Sequence, residues 1–275
     1  MKLLSHRARG FGFPDNSARA VVAAVEAGME FVEIDTRVSK DGVVFAHHDP
    51  KVKTANGRVS ISKLTAAEIE DRSSLETLRT VVEAFAEVAE RGAKLCVDIK
   101  DYGFEAEHLE AIAGLAKTRN VVVGSWSPRS LLTVHRLNPD IPLILYFTPM
   151  IRLGWLGRGL SRLIRNREFG IGSLVFFGSE ASKAEPKTKH RIGKQLAMIT
   201  DRIPDEISSA LLASGGGIVV SNYLLCSKLR VSLPGFDGLE LWIFTANTEL
   251  ELDRCEALGV DVAFTDRPEF LERSS

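Results

Sequence analysis

The sequence predicts a (β/α)8 (TIM) barrel in a single domain, and three observations carry that prediction. Eight short apolar or β-branched runs recur along the chain, mostly separated by segments of helical pattern. Polar residues gather at the C-terminal end of nearly every run, where barrels of this kind carry their chemistry. No glycine-rich phosphate loop follows the first run, which weakens the main alternative, a doubly wound sheet.

The elements read in order as follows. "LLSH" is the first strand, and the Ala-rich helix "SARAVVAAVEAG" ends at Gly28 as at a C-cap. "FVEIDT" and "VVFAHH" form the next strand pattern, with the Asp41-Gly42 turn signal between them. "LETLRTVVEAFAEVAERG" is an amphipathic helix closed by Gly92. Strand "KLCVDIK", helix "EAEHLEAIAGLAK", strand "NVVVGSW", helix "PRSLLTVHRLN" and strand "PLILYF" follow. An irregular stretch covers about 148–205, far longer than a typical barrel connection. Beyond it come helix "DEISSALLAS", strand "GIVVS", a short helix near 223–229, strand "LELWIFTA", helix "ELELDRCEALG" and strand "DVAFTD".

The insertion contains "LGWLGRGLSRLIRNR", apolar on one helical face and arginine-rich on another. That pattern suits a helix packed on the barrel with a solvated basic face. About residues 150–167 would also suit a lid, or an interfacial helix in peripheral contact with anionic lipid.

Composition narrows the function classes. At 275 residues and 45% hydrophobic content the chain can bury a sizeable core. A formal net charge of −1, without a basic stripe interleaved with aromatics, argues against a nucleic-acid partner. Cys96, Cys226 and Cys255 lack the spacing of a disulfide framework or a zinc site. No apolar run is long enough to span a bilayer or serve as a signal peptide, so a cytoplasmic setting is expected. Oligomeric state has no sequence signature here.

Strand alternation brings the chemistry together. Side chains at i and i+2 share a face, so Glu33 and Asp35 point the same way, as do Asp98 and Lys100. Two carboxylates about 5 Å apart repel by roughly 3 kcal/mol at an effective dielectric near 20. A proton, a lysine or a divalent cation must relieve that repulsion. Oxygen-only ligands favour a hard ion, Mg2+ or Ca2+. His6, at the end of the first strand, and His48, just past the second, could serve as base and acid in turn. His47 should face away from His48, and His108, His135 and His190 fit no pattern.

These motifs together resemble the glycerophosphodiester phosphodiesterase family of metal-dependent (β/α)8 enzymes. That family carries, in order, His-Arg-Gly, Pro-Glu-Asn, Glu-x-Asp, His-Asp-Pro, Glu-x-Lys, Trp-Thr-x-Asn and Thr-Asp-x-Pro. Here stand His6-Arg7, Pro14-Asp15-Asn16, Glu33-Ile34-Asp35, His48-Asp49-Pro50, Asp98-Ile99-Lys100, "WIFTAN" from Trp242 to Asn247, and Thr265-Asp266-Arg267-Pro268. The resemblance implies that His6 and His48 are the acid/base pair. It implies that Glu33, Asp35 and Asp98 hold one divalent ion, and that Arg7 and Lys100 contact the phosphate. Trp242 would line the pocket. The implied reaction cleaves a glycerophosphodiester to an alcohol and sn-glycerol 3-phosphate. A neighbouring substrate hydroxyl can be the nucleophile, giving a cyclic phosphate that water opens.

Three departures stand out. Ala8 replaces the glycine of His-Arg-Gly, with Arg9 and Gly10 following. Asp15 is one methylene shorter than the Glu of Pro-Glu-Asn, and Asp15, Asn16 and Ser17 could equally be a helix N-cap. Asp98 replaces the Glu of Glu-x-Lys, a feature shared with sphingomyelinase D-like phospholipases. A lysophospholipase D-like or sphingomyelinase D-like activity at membranes is therefore the second reading. A non-catalytic phosphate- or lipid-binding barrel is the third, and the retained histidines and carboxylates argue against it.

Overall fold

The computed structural model describes residues 1–55, 57–149, 198–200, 203, 205–220 and 236–273. Eight parallel strands form the barrel: β1 (Lys2–Ser5), β2 (Phe31–Val38), β3 (Lys94–Ile99), β4 (Val121–Ser125), β5 (Leu143–Pro149), β6 (Gly217–Val220), β7 (Glu240–Ile243) and β8 (Val262–Thr265). Each pairs with the next in sequence. β1 closes the ring by pairing with both β8 and β2. The predicted fold class is therefore the observed one.

Alternation along these strands divides the core in two. Leu3, Val32, Ile34, Leu95, Val97 and Ile218 face outward and pack with the helices as one buried cluster. Leu4, Phe31, Cys96, Val122, Ile144, Tyr146, Val219, Trp242, Val262 and Phe264 fill the barrel interior. Each fully buried aliphatic side chain stabilises the fold by about 1.5–3 kcal/mol. Gly124 sits in a crowded part of the interior. A Cβ there would lie 2.6 Å from Tyr146 Cε2, so the glycine makes room for the tyrosine ring.

The interior columns turn polar at their C-terminal ends. Two residues beyond Leu4 is His6, beyond Phe31 come Glu33 and Asp35, beyond Cys96 come Asp98 and Lys100, and beyond Phe264 is Asp266. The same period that fills the barrel thus delivers the polar groups to one mouth.

Helices α1 (Ala18–Glu26), α2 (Ala66–Arg72), α3 (Leu78–Ala86), α4 (Glu105–Ala111), α5 (Ala113–Thr118), α6 (Pro128–Leu137), α7 (Asp205–Ser214) and α8 (Glu249–Ala257) complete the described fold. Several boundaries differ from the sequence reading. Thr77 caps α3 by accepting from Thr80 N–H, so the helix starts later than "LETLR" suggests. It ends before a short 3-10 turn, Ala89–Arg91, which Gly92 closes in the left-handed region. The segment "EAEHLEAIAGLAK" is two helices broken at Ile112. α2 was not foreseen, although the Thr65–Glu68 capping box announces it.

A short strand, Val44–Ala46, folds back antiparallel on the end of β2. The antiparallel hairpin Lys51–Thr54/Gly57–Ser60 follows it and was also unforeseen. The amphipathic segment at 150–167 and the helix near 223–229 lie outside the described residues. Among the described residues, no helix is long and apolar enough to cross a membrane.

Candidate active site

Glu33, Asp35 and Asp98 meet at the barrel mouth, as their spacing predicts. Each offers a carboxylate oxygen, and these oxygens lie within 4.8 Å of one another. All three residues are buried. β2 and β3 are in register here, with Asp35 opposite Asp98, so two adjacent strands present the acids side by side.

Two cations offset this charge. Lys100 Nζ lies 2.9 Å from Asp35 Oδ1 and 2.5 Å from Asp98 Oδ2. Arg7 Nε forms an ion pair with Asp35 Oδ2 at 3.0 Å, and the Arg7 backbone N–H donates to Glu33 Oε2 at 2.9 Å. The compensation is uneven. Burial, and then the charges of Asp35 and Asp98, push the Glu33 carboxyl well above the usual range. Burial would raise Asp35 too, but Lys100, His48 and Arg7 override it and hold Asp35 below its ordinary value. Asp98 is raised, by burial above all. Lys100 stays charged because Asp35, Asp98 and Glu33 outweigh its own burial.

One atom shows what the cluster lacks. Asp98 Oδ1 is buried and has no hydrogen-bond partner among the described residues. A buried carboxylate oxygen without a donor is costly, and a hard cation satisfies it. Three oxygen donors with one orphaned oxygen fit a divalent ion of the Mg2+ or Ca2+ kind.

Each predicted histidine carries a carboxylate on the same ring nitrogen. His6 Nδ1 lies 2.9 Å from Asp266 Oδ1, and His48 Nδ1 lies 3.0 Å from Asp49 Oδ1. A carboxylate only accepts, so Nδ1 carries the hydrogen in both and Nε2 is the nitrogen that can exchange a proton. Burial, opposed in part by the Asp35 charge, lowers the His48 pKa and favours its neutral form. His47 Nε2 is buried without a hydrogen-bond partner among the described residues.

Several contributors received no role in the sequence reading. Arg37 is buried, donates from Nε to the His48 carbonyl at 2.9 Å and pairs through Nη1 with Asp101. It continues the column of Glu33 and Asp35, so alternation could have found it. Asn16 accepts from the Asp35 N–H through Oδ1 at 2.9 Å, while its Nδ2 lies 3.4 Å from Asp35 Oδ2. The helix cap itself is Ser17. Asp266 and Asn247 also bond each other, through Asn247 Nδ2 at 2.8 Å and the Asp266 N–H at 2.8 Å.

Trp242 does not share this cluster. It is 1% exposed, level with Val262 near the far end of the barrel, and its Nε1 donates to Glu240 Oε2 at 2.8 Å. Its ring packs on Phe31 and Phe264 as core. Phe244 is the residue directly before Thr245, the place that a Trp-Thr-x-Asn pattern gives its aromatic. Its ring lies 5.8 Å from that of His6. Trp126, stacked on Tyr146 at 5.6 Å, is a second partly open aromatic on this side of the core.

With this geometry in view, the comparisons with known proteins are decisive. The glycerophosphoryl diester phosphodiesterase family model matches residues 6–151. The chain belongs to that family. A glycerophosphodiester phosphodiesterase of Bacillus subtilis is 20% identical over 98% of this chain and 85% of its own length. One from Caldanaerobacter subterraneus subsp. tengcongensis is 24% identical over 53% of this chain and 66% of that relative. Among solved structures, an Oleispira antarctica phosphodiesterase in complex with the product sn-glycerol 3-phosphate aligns with a TM-score of 0.62 and 18% identity. That alignment covers 100% of this chain and 96% of the other. A glycerophosphodiester phosphodiesterase from Parabacteroides distasonis aligns with a TM-score of 0.65 and 16% identity, covering 99% and 95%. The shared architecture is the parallel barrel, and the family comprises phosphoric diester hydrolases.

Proposed function

We propose that this protein hydrolyses glycerophosphodiesters to an alcohol and sn-glycerol 3-phosphate in a metal-dependent reaction. The observation that carries the reading is the buried trio Glu33, Asp35 and Asp98, flanked by Lys100 and Arg7 at the mouth that also carries His6 and His48. The Oleispira relative solved with sn-glycerol 3-phosphate supports the choice of substrate class.

Glu33, Asp35 and Asp98 would hold the ion, which when bound supplies Lewis-acid stabilisation of the phosphoryl charge. Arg7 and Lys100 are placed to share their positive charge with the phosphodiester anion. One imidazole takes the proton of the attacking hydroxyl through Nε2. The phosphorus–oxygen bond to the departing alcohol breaks, and the other imidazole protonates that oxygen. Where the nucleophile is a hydroxyl of the glycerol itself, the product is a cyclic phosphate. Water then opens it with the two histidines in reversed roles. Phe244 and Trp126 would give the pocket its apolar wall.

Release of sn-glycerol 3-phosphate from glycerophosphocholine and glycerophosphoethanolamine tests the reading. Runs with Mg2+, with Ca2+ and with EDTA separate the metals. Metal-dependent release that His48→Ala abolishes is the expected result. Choline freed from a lysolipid, with neither small diester cleaved, would instead favour a phospholipase D-type activity.

A further inference from the structure

The departure from His-Arg-Gly puts an additional arginine behind His6. Arg7 and Ala8 both take positive φ, 59° and 52°, so the turn after β1 is sharply reversed. It docks on the loop after β8. Gly10, at φ +94°, leaves no room for a side chain: a Cβ would lie 2.5 Å from Pro268 Cδ and 3.2 Å from the Asp266 carbonyl oxygen.

Arg9, one residue earlier, reaches two carboxylates. Its Nε donates to Asp15 Oδ2 at 2.9 Å, with Nη2 on the same oxygen. Its Nη1 donates to Asp266 Oδ1 at 3.1 Å. Asp266 Oδ1 is also the atom that accepts from His6 Nδ1, while Asp266 Oδ2 accepts from Asn247. Three donors, two from the turn after β1 and one from Asn247, therefore fix both oxygens of one carboxylate.

We propose that Arg9 is a positioning residue for His6, acting through Asp266; the inference rests on the proposed phosphodiesterase reaction. Two carboxylates more than offset the guanidinium charge, so Arg9 is a rivet between the turn and the loop rather than a phosphate ligand. Asp15, shorter than the family's Glu, is its outer anchor. The two sequence departures thus compensate each other. The Ala8-Arg9-Gly10 turn supplies the arginine, and Asp15 holds it over Asp266.

The test compares Arg9→Met, Arg9→Lys and a control, Arg267→Gln, whose arginine pairs with Glu269 on the exposed side of the same loop. Release of sn-glycerol 3-phosphate gives kcat and KM. The ring N–H resonance of His6 in a 1H–15N spectrum, identified by its loss in His6→Gln, reports the His6–Asp266 bond without turnover. Arg9→Met is expected to lower kcat about tenfold, as small misplacements of acid/base groups do. KM should stay within about twofold. The His6 resonance should broaden, and Arg9→Lys should restore part of both signals. If Arg9→Met does not fold, Asp15→Asn replaces it with the same readouts. An unchanged His6 resonance, or a rise in KM alone, would overturn the proposal. If the parent protein releases no sn-glycerol 3-phosphate, the functional reading fails, and the resonance still decides whether Arg9 positions His6.

Discussion

Lys100 Nζ stands 2.9 Å from Asp35 Oδ1, an ion pair in which both side chains are almost fully buried. Such a pair is costly to break because the surviving charge has no water. Lys100→Met leaves Asp35 and Asp98 without their common cation. The expected loss of stability is about 3–5 kcal/mol in metal-free buffer. Urea unfolding measures it. Added Mg2+ or Ca2+ should recover part of the loss, since the ion can take over the cation's role.

The two adjacent histidines should separate cleanly. His48→Ala removes an imidazole oriented by Asp49 and is expected to cut kcat about 10²- to 10⁴-fold. His47→Ala keeps the backbone bond from the His47 N–H to the Asp35 carbonyl. Its activity should remain within about threefold of the parent. Steady-state assays of the two variants check the contrast.

Acid titration should reveal Asp266. The hydrogen bond from His6 is the main reason its pKa falls from 3.8 to about 2, with Asn247 and the charges of His6 and Arg9 adding to it. A depressed folded-state pKa contributes stability above the unfolded value, and that stability is lost as the pH falls from about 4 toward 2. The carboxylate is partly open to solvent, so the contribution is about 1 kcal/mol. Asp266→Asn should remove this component from the pH dependence of unfolding.

Gly10→Ala tests the docking of the first turn on the last loop. Positive φ and the contact with Pro268 act together, and the expected cost is about 2–4 kcal/mol. Thermal unfolding measures it. A substitution tolerated without loss would show that the turn is not held where the structure places it.

The barrel and its acid trio were legible because alternation is a local rule. Glu33, Asp35 and Asp98 lie on strands whose apolar partners fix which face is inside, and Lys100 directly follows one of them. What escaped was set by tertiary contact. His6 and Asp266 are 260 residues apart, and no spacing announces their bond. Trp242 shows another limit. It and Phe244 occupy the same alternating face, so period alone cannot tell the core row from the mouth row; the register with Val262 does. The unforeseen hairpin, by contrast, had a readable signal, the Asn56-Gly57 pair between alternating runs.

Calorimetric titration of Mg2+ and Ca2+ into EDTA-stripped protein tests the central claim, that Glu33, Asp35 and Asp98 form one metal site. One ion per chain is expected, with affinity lowered at least about tenfold in Asp98→Asn, which replaces the carboxylate with a neutral amide. Binding of neither ion, or binding that Asp98→Asn leaves unchanged, would contradict it.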